Sequence, residues 1–339
     1  MSSTAQNDEI DPVITAIRES VQALCADFPG EYWRKIDRGR EYPTTFVNAL
    51  TQSGFLAALI PEEYGGSGLG INAAATILEE IHKSGANGGA CHAQMYTMGT
   101  LLRHGSDAQK SKWLPKIANG EIRLQAFGVT EPTSGTDTLN LRTTAVRKGD
   151  VFIVNGQKVW TSRAEHSDLM LLLARTTSKE DVKKRTDGLS VFLIDMRDAV
   201  GNGLTIKPLR AMVNHATTEV FLDDLEIPAD SLIGEIDKGF KYILDGMNAE
   251  RILIAAECIG DARWFIKKAT DYANEREVFG RKIGQNQGIQ FPIARAYASS
   301  EAADLMVQKA IHLYDANQHA GEAANLAKML ASEASWEAA

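Results

Sequence analysis

The chain has 339 residues, of which 44% are apolar and 24% charged, and its formal net charge is -8. This length and composition fit a soluble globular enzyme of two or three domains. The acidic balance argues against a protein whose overall field attracts nucleic acid or an anionic membrane surface. No segment approaches the ~20 consecutive apolar residues that a membrane-spanning helix needs.

The start of the chain and its cysteines indicate the compartment. The first residues are polar and acidic, without an apolar signal core or an arginine-rich transit pattern, which predicts a cytoplasmic protein. Three cysteines, Cys25, Cys91 and Cys258, lie far apart and form no Cys-x-x-Cys pair. This spacing favours core thiols in a reducing compartment and predicts neither a structural zinc nor another metal site.

Up to about residue 122 the pattern is helical. Asp11 can cap a first helix that has Pro12 at its first position, and apolar residues then recur on one face. Further helices are predicted over residues 44–53 and 73–83, with glycine-rich connections between them.

Between residues 123 and 233 the pattern changes to strands. Residues 125–129 form a short apolar strand that runs into a cluster of turn formers, Thr130-Glu131-Pro132-Thr133-Ser134-Gly135-Thr136-Asp137. Strands at 142–146 and 151–154 follow, and Asn155-Gly156 favours a hairpin turn that carries Trp160-Thr161-Ser162 to the same region. Apolar runs at 168–174, 189–194 and 219–222 complete a mostly antiparallel sheet or barrel.

The residue types of this loop and hairpin suit a flavin. An isoalloxazine ring needs hydrogen-bond donors and a flat apolar cover that keeps water from its reactive face. Thr130, Thr136 and Ser162 can donate hydrogen bonds, and Trp160 can cover the ring. The alternative is that these residues only close turns on a solvent-facing sheet, and turn residues by themselves favour that interpretation.

After residue 234 the pattern is helical again. Apolar residues keep a 3.6-residue period over 239–275 with no proline, which predicts an unusually long helix. A turn at Phe279-Gly280 leads to a second long helix over 286–318, and a third helix begins near Glu322. Long antiparallel helices imply a bundle.

Two charged residues of these helices are candidates for chemistry. Glu250 lies beside apolar residues on the first long helix, where desolvation would suit a carboxylate for general-base catalysis. The alternative is an exposed Glu250–Arg251 ion pair, which is worth little. Arg276 can pair with a phosphate through its planar fork, or it can simply complement the dipole of a helix C-terminus.

Together these motifs resemble those of the acyl-CoA dehydrogenases. The resemblance rests on Val-Thr-Glu-Pro-x-x-Gly-x-Asp at 129–137, followed at the family's spacing by Asn-Gly-x-Lys-x-Trp-x-Ser at 155–162. Pro-Glu-Glu-Tyr-Gly-Gly at 61–66 and the segment 109–121 add to it. It implies an α+β multidomain fold: an N-terminal α-helical domain (1–122), a middle antiparallel β domain (123–233) and a C-terminal helical bundle (234–339).

The resemblance also implies an activity and its residues. We expect FAD-dependent α,β-dehydrogenation of an acyl-CoA thioester to the trans-2-enoyl-CoA, with electrons passing to an electron-transfer flavoprotein, by a homotetramer. Glu250 occupies one of the two places from which family members remove the α-proton, while a β-hydride goes to flavin N5. Substrate contacts are expected from Thr136, Asn248 and Arg251. Flavin contacts are expected from Phe127, Val129, Thr130, Gly135, Thr136, Trp160, Thr161 and Ser162, and, toward the FAD of a neighbouring subunit, from Arg276, Phe279 and Gln287.

The sequence departs from the family pattern in two places. Thr136 stands where the family commonly has serine, which keeps the hydroxyl and adds a methyl group. The chain stops at Ala339 inside the third bundle helix, so we expect the bundle to be incomplete and the family's other base position to lie beyond it. Two alternatives stay open: an acyl-CoA oxidase or flavin monooxygenase on the same scaffold, and a flavin-containing or nucleic-acid-binding relative without turnover.

Overall fold

The computed structural model describes residues 11–339, where ten α-helices and ten β-strands are formed. The polar start of the chain, which supported the expectation of no targeting segment, lies outside the described residues. The helices are α1 (Pro12–Ala26), α2 (Gly30–Gly39), α3 (Thr44–Gln52), α4 (Ile71–Lys83), α5 (Gly89–His104), α6 (Asp107–Ala118), α7 (Met196–Ala199), α8 (Gly239–Glu275), α9 (Gln287–Asp315) and α10 (Gly321–Ala338). The strands are β1 (Leu124–Gly128), β2 (Thr144–Lys148), β3 (Val151–Ser162), β4 (Leu169–Arg175), β5 (Leu189–Asp195), β6 (Leu204–Pro208), β7 (Thr217–Pro228), β8 (Leu232–Ile233), β9 (Glu277–Val278) and β10 (Arg281–Lys282).

The chain divides into two compact units. The helical unit comprises Met1–Gly30, Gly70–Asn87 and Ile252–Ala339, and the sheet unit comprises Glu31–Leu69 and Gly88–Arg251. Helix α8 therefore contributes its first part to the sheet unit and the remainder to the helical unit. The three sequence-defined domains, 1–122, 123–233 and 234–339, stay a prediction.

Capping and buried ion pairs organise the helical unit. Asp11 Oδ1 accepts a hydrogen bond from the Val13 N–H at 2.9 Å, as predicted for the start of α1. Glu79 of α4 is buried and pairs with Arg18 of α1 at 3.0 Å and with Arg263 of α8. One buried carboxylate thus joins three helices that come from separate stretches of the chain.

A mostly antiparallel sheet forms the centre of the sheet unit. Its strand order is β6-β7-β3-β2-β4-β5-β8, and β1 pairs in parallel with β4. Alternate residues of β4 enter two different cores: Leu169, Leu171 and Leu173 pack in one, and Met170 and Leu172 in the other. Because both faces of this strand are covered, its sequence is a continuous apolar run rather than an alternating one.

The structure corrects one feature predicted in this region. Asn155-Gly156 was expected to form a hairpin turn, but both residues lie inside β3, which continues to Ser162. The pairing of β3 with β7 shifts register between Val154 and Gly156. A Cβ at Gly156 would overlap the Thr143 side chain, so the glycine serves close approach at an irregularity in the strand rather than a turn.

The expected long helices are formed at nearly the predicted bounds, and the predicted order along the chain, helices, then sheet, then helices, is confirmed. Among the helices of residues 11–339, none combines the length and the apolar character needed to cross a bilayer. Over the same part of the chain, no cluster of three or more His, Cys, Asp or Glu side chains could hold a metal ion. Cys25, Cys91 and Cys258 are all free thiols.

Candidate functional site

A buried ion pair fastens the two predicted flavin motifs to each other. Lys158 is fully buried, and its Nζ donates to Glu131 Oε1 at 2.9 Å and to the Val129 carbonyl at 3.1 Å. Glu131 also accepts hydrogen bonds from the backbone N–H groups of Arg142 at 2.6 Å and Thr143 at 2.9 Å. The loop that follows β1 is therefore held against β3 by charge-assisted hydrogen bonds inside the protein.

The pKa values of this pair reflect burial opposed by mutual attraction. Burial lowers the pKa of Lys158, and the charge of Glu131 offsets only part of that effect, leaving the pKa at about 8. For Glu131, burial alone would raise the pKa, but the ammonium group of Lys158 and the two backbone donors outweigh it and the pKa is lowered. At neutral pH both groups are charged and the pair is intact.

Trp160 is turned outward by a bulge in β3. The pairing of β3 with β7 shifts register between Lys158 and Thr161, and Trp160 between them has a left-handed backbone with φ of 61°. A tryptophan in this conformation is strained, and such strain persists only where the surrounding structure imposes it. Its indole is 63% exposed, so a flat apolar surface faces outward beside the loop 130–137.

The other predicted flavin contacts of the sheet unit lie on the same two motifs as Trp160, but they differ in solvent exposure. Gly135 and Thr136 are exposed, and Thr130 and Ser162 are half-buried. A Cβ at Gly135 would meet no protein atom within 4 Å, so the protein itself does not require glycine there. Phe127 and Val129 are partly buried and pack against the core on one face of the sheet.

The buried hydroxyl of Thr161 adds a polar group without a protein partner. Its side chain is 1% exposed, and among the described residues its Oγ1 makes no hydrogen bond. An exposed indole, hydroxyl donors on both motifs, an open glycine position and an unsatisfied hydroxyl between Trp160 and Ser162 fit the requirements of a flavin. The site can therefore hold FAD.

The charge of Glu250 acts on an aromatic residue that contacts β1. Glu250 is half-buried on α8, and its charge acts on the phenol of Tyr96 of α5. Burial raises the pKa of Tyr96, Glu250 raises it further, and Arg163 opposes the rise. The ring of Tyr96 in turn contacts Phe127 of β1 edge to face, with centroids 5.5 Å apart. The charge of the candidate base thus acts on a phenol whose ring contacts the strand of the first flavin motif.

The start of α8 is anchored against α5. Arg103 Nη1 donates to the Asp245 carbonyl at 2.9 Å, and His104 Nε2 contacts Asp245 Oδ2 at 3.1 Å. One turn before Glu250, a Cβ at Gly246 would lie 3.1 Å from Thr100 Oγ1, so the two helices approach closely. This packing holds the turn of α8 that precedes Glu250 against α5.

Two other predicted substrate residues flank Glu250. Asn248 Oδ1 accepts a hydrogen bond from Arg251 Nη1 at 3.2 Å, and both side chains are half-buried. The amide holds the guanidinium on the same helix as the carboxylate. Arg251 can therefore present further N–H donors to an anionic or carbonyl group of a ligand.

Arg276, Phe279 and Gln287 belong to the helical unit. All three are exposed, and Phe279, at the turn between β9 and β10, is 101% exposed with a left-handed φ of 55°. An aromatic ring held on a strained turn without protein cover is suited to contact another molecule.

Sequence reasoning missed the roles of Glu131, Lys158 and Asn214 in this site. Asn214 Nδ2 donates to Ser162 Oγ at 2.8 Å, and Asn214 lies on the loop between β6 and β7. The signal for the ion pair was a lysine directly before the apolar pair Val159-Trp160 in a strand. A cavity of about 640 Å³ elsewhere in the sheet unit is lined by none of the predicted site residues.

Comparisons with known proteins agree along the chain. Profiles described as "Acyl-CoA dehydrogenase, N-terminal domain", "middle domain" and "C-terminal domain" match residues 12–121, 126–225 and 237–339. The chain is 35% identical over 326 residues to "Acyl-CoA dehydrogenase fadE12" of Mycobacterium bovis, covering 95% of this chain and 83% of that protein. It is 31% identical over 302 residues to "Caffeyl-CoA reductase-Etf complex subunit CarC" of Acetobacterium woodii, covering 88% and 78%.

A solved structure is similar over nearly the same extent. The "Structure of the glutaryl-coenzyme A dehydrogenase glutaryl-CoA complex" superimposes with a TM-score of 0.89 at 30% identity, covering 97% of this chain and 84% of that chain.

Proposed function

This chain belongs to the acyl-CoA dehydrogenase family of FAD-dependent oxidoreductases, and on that premise we propose that it removes the α- and β-hydrogens of an acyl-CoA thioester to give the trans-2-enoyl-CoA. The observation that carries the proposal is that the charge of Glu250 acts on the phenol of Tyr96, whose ring contacts Phe127 of the strand that ends in the flavin loop.

The flavin is held by both motifs. Trp160 would cover one side of the ring, and Thr130, Thr136 and Ser162 would donate hydrogen bonds. Thr161, between Trp160 and Ser162 in the chain, would bring a further hydroxyl to the same region. Gly135 leaves room for close approach. Phe127 and Val129 contribute through the end of β1. When bound, FAD accepts the two electrons that leave the substrate with the β-hydrogen.

Glu250 is the base that takes the α-proton. Its half-buried place on α8 limits the water that can compete with substrate for the carboxylate. Arg251, steadied by Asn248, orients the thioester end of the ligand. A positioned carboxylate contributes typically about 10²–10⁴-fold to the rate of such a proton transfer.

The residues of the helical unit complete the cofactor site of another copy. Arg276 would pair with the pyrophosphate, and Phe279 and Gln287 would contact the adenosine end, within a homotetramer. The full exposure of Phe279 on a strained turn supports this role. Electrons then pass to an electron-transfer flavoprotein, a partner supported by the similarity to the subunit named as part of an Etf complex.

A panel of acyl-CoA thioesters tests the proposed reaction. Purified protein is loaded with FAD, mixed anaerobically with straight, branched and aryl acyl-CoA, and followed by the loss of flavin absorbance. We expect bleaching by at least one thioester, an enoyl-CoA product, and turnover that requires an electron-transfer flavoprotein. Rapid reoxidation in air with peroxide or a hydroxylated product would identify an oxidase or monooxygenase instead.

A further inference from the structure

The loop between β6 and β7, residues 209–216, lies beside Ser162 and is tied by hydrogen bonds at its base. The Leu209 N–H donates to the Thr217 carbonyl at 2.8 Å, and the Arg163 N–H donates to the Ala216 carbonyl at 2.6 Å. Near the end of the loop, His215 Nε2 contacts Asp37 Oδ1 at 2.9 Å. These bonds close the loop at its base and tie its C-terminal end to α2.

Within this loop, Asn214 has a left-handed backbone that aims its amide at Ser162. Its φ is 54°, and its carbonyl accepts from both the N–H and the Oγ1 of Thr217, at 3.1 and 2.7 Å. Asparagine tolerates this conformation better than most residues. The side-chain Nδ2 then donates to Ser162 Oγ at 2.8 Å.

The direction of this hydrogen bond constrains the serine. A hydroxyl has one proton to donate and two lone pairs that accept. When Asn214 fills one lone pair, the Ser162 proton stays available for a different acceptor. Ser162 is half-buried at the end of β3, two residues after the outward-facing Trp160.

We propose that Asn214 is a positioning residue that keeps the Ser162 hydroxyl as a hydrogen-bond donor toward the bound flavin ring. The inference rests on the proposed function, because it assumes a flavin beside Trp160. A donor to the ring stabilises the reduced, more electron-rich flavin, so Asn214 acts through Ser162 to raise the reduction potential. Nothing in the two flavin motifs themselves indicates this residue.

The reduction potential of the bound FAD tests the proposal by a readout other than turnover. The variants are Asn214→Gly, which keeps the left-handed backbone, Asn214→Asp, Ser162→Ala and the double variant Ser162→Ala/Asn214→Gly. The matched control is Val213→Ala, the exposed neighbour on the same loop.

We expect Asn214→Asp to shift the potential most, because the carboxylate takes the Ser162 proton and adds negative charge near the ring. A tenfold loss in the preference for reduced flavin corresponds to about 30 mV for a two-electron couple, and we expect at least that shift. Asn214→Gly should give a smaller shift of the same sign. In the Ser162→Ala background, Asn214→Gly should change the potential no further.

Potentials of Asn214→Gly and Asn214→Asp equal to that of the wild type, in folded protein with FAD bound, would overturn the inference while leaving the proposed function intact. An additive effect in the double variant would also overturn it, because Asn214 would then act independently of Ser162. Wild-type protein that refuses FAD would refute the proposed function, and the inference with it.

Discussion

Removing the buried ammonium group of Lys158 breaks the ion pair that links the two flavin motifs. In Lys158→Met, the Glu131 carboxyl group stays buried without its counter-ion, and the Val129 carbonyl loses its donor. Breaking a buried pair by removing one partner costs about 3–5 kcal/mol. Glu131 keeps its two backbone donors, so we expect the lower end, about 3 kcal/mol.

Amide hydrogen exchange can measure this loss of stability at the residues around Glu131. A chain with two compact units has no single global unfolding free energy, whereas amide exchange reports local opening. The amides of Arg142 and Thr143 donate to Glu131, and a loss of about 3 kcal/mol should accelerate their exchange on the order of 10²-fold. Lys148→Met, at the exposed end of β2, is the matched control and should change exchange little.

The double variant Glu131→Gln/Lys158→Met separates the charge effect from loss of packing. With neither charge left, the penalty for an unpaired buried carboxylate disappears, and at least half of the stability should return. Exchange in Lys158→Met that matches the wild type, or a double variant that is as unstable as the sum of the two singles, would refute the reasoning.

Three further predictions concern the glycine of the flavin loop, a histidine of the helical unit and a helix cap. Gly135→Ala should leave stability unchanged, because its Cβ meets no protein atom, yet weaken FAD binding by tenfold or more in a titration; unchanged affinity would place Gly135 away from the cofactor. Burial alone would lower the pKa of His82, but Glu257 and Asp261 outweigh it and the pKa is raised. The stability that protonated His82 contributes is therefore fully present below the pKa of the unfolded state and is lost as pH rises through the pKa of the folded state. Hydrogen exchange of α4 in the wild type should accelerate from pH 6 to 8 by more than the intrinsic exchange rate does. In His82→Gln this extra acceleration should be absent. Asp315 accepts from the N–H groups of Ile71 and Asn72 at 2.8 and 3.1 Å, so Asp315→Ala should cost α4 about 1 kcal/mol, and no change in the exchange of its first turn would contradict this cap.

Local patterns predicted the elements and the family well. The apolar run at 168–174 and the long period over 239–275 correspond to β4 and α8, because each is defined by neighbours along the chain. The predicted family, enzyme class and FAD dependence are confirmed by profile matches and by relatives that cover most of the chain.

Features set by distant contacts could not be predicted. Asn155-Gly156 has the composition of a hairpin turn, but the neighbouring Thr143 makes it a point of close approach inside β3. The parallel pairing of β1 with β4 has no signature in either strand.

The same limit applies to the candidate site. A lysine in a strand does not reveal that its partner is Glu131, and nothing near Glu250 in sequence indicates that its charge acts on Tyr96. These arrangements depend on how β3 meets the flavin loop and how α8 meets α5. The roles of the individual site residues stay predictions.

The most direct test of Glu250 as the base is anaerobic bleaching of the bound flavin by an acyl-CoA that the wild type accepts. Asp271→Asn, an exposed pair partner of Lys267 on the same helix, serves as the control and should bleach at the wild-type rate. We expect Glu250→Gln to retain FAD and to slow bleaching by at least about 10²-fold. Bleaching of Glu250→Gln at a near-normal rate would contradict the account, because the α-proton would then leave to another residue.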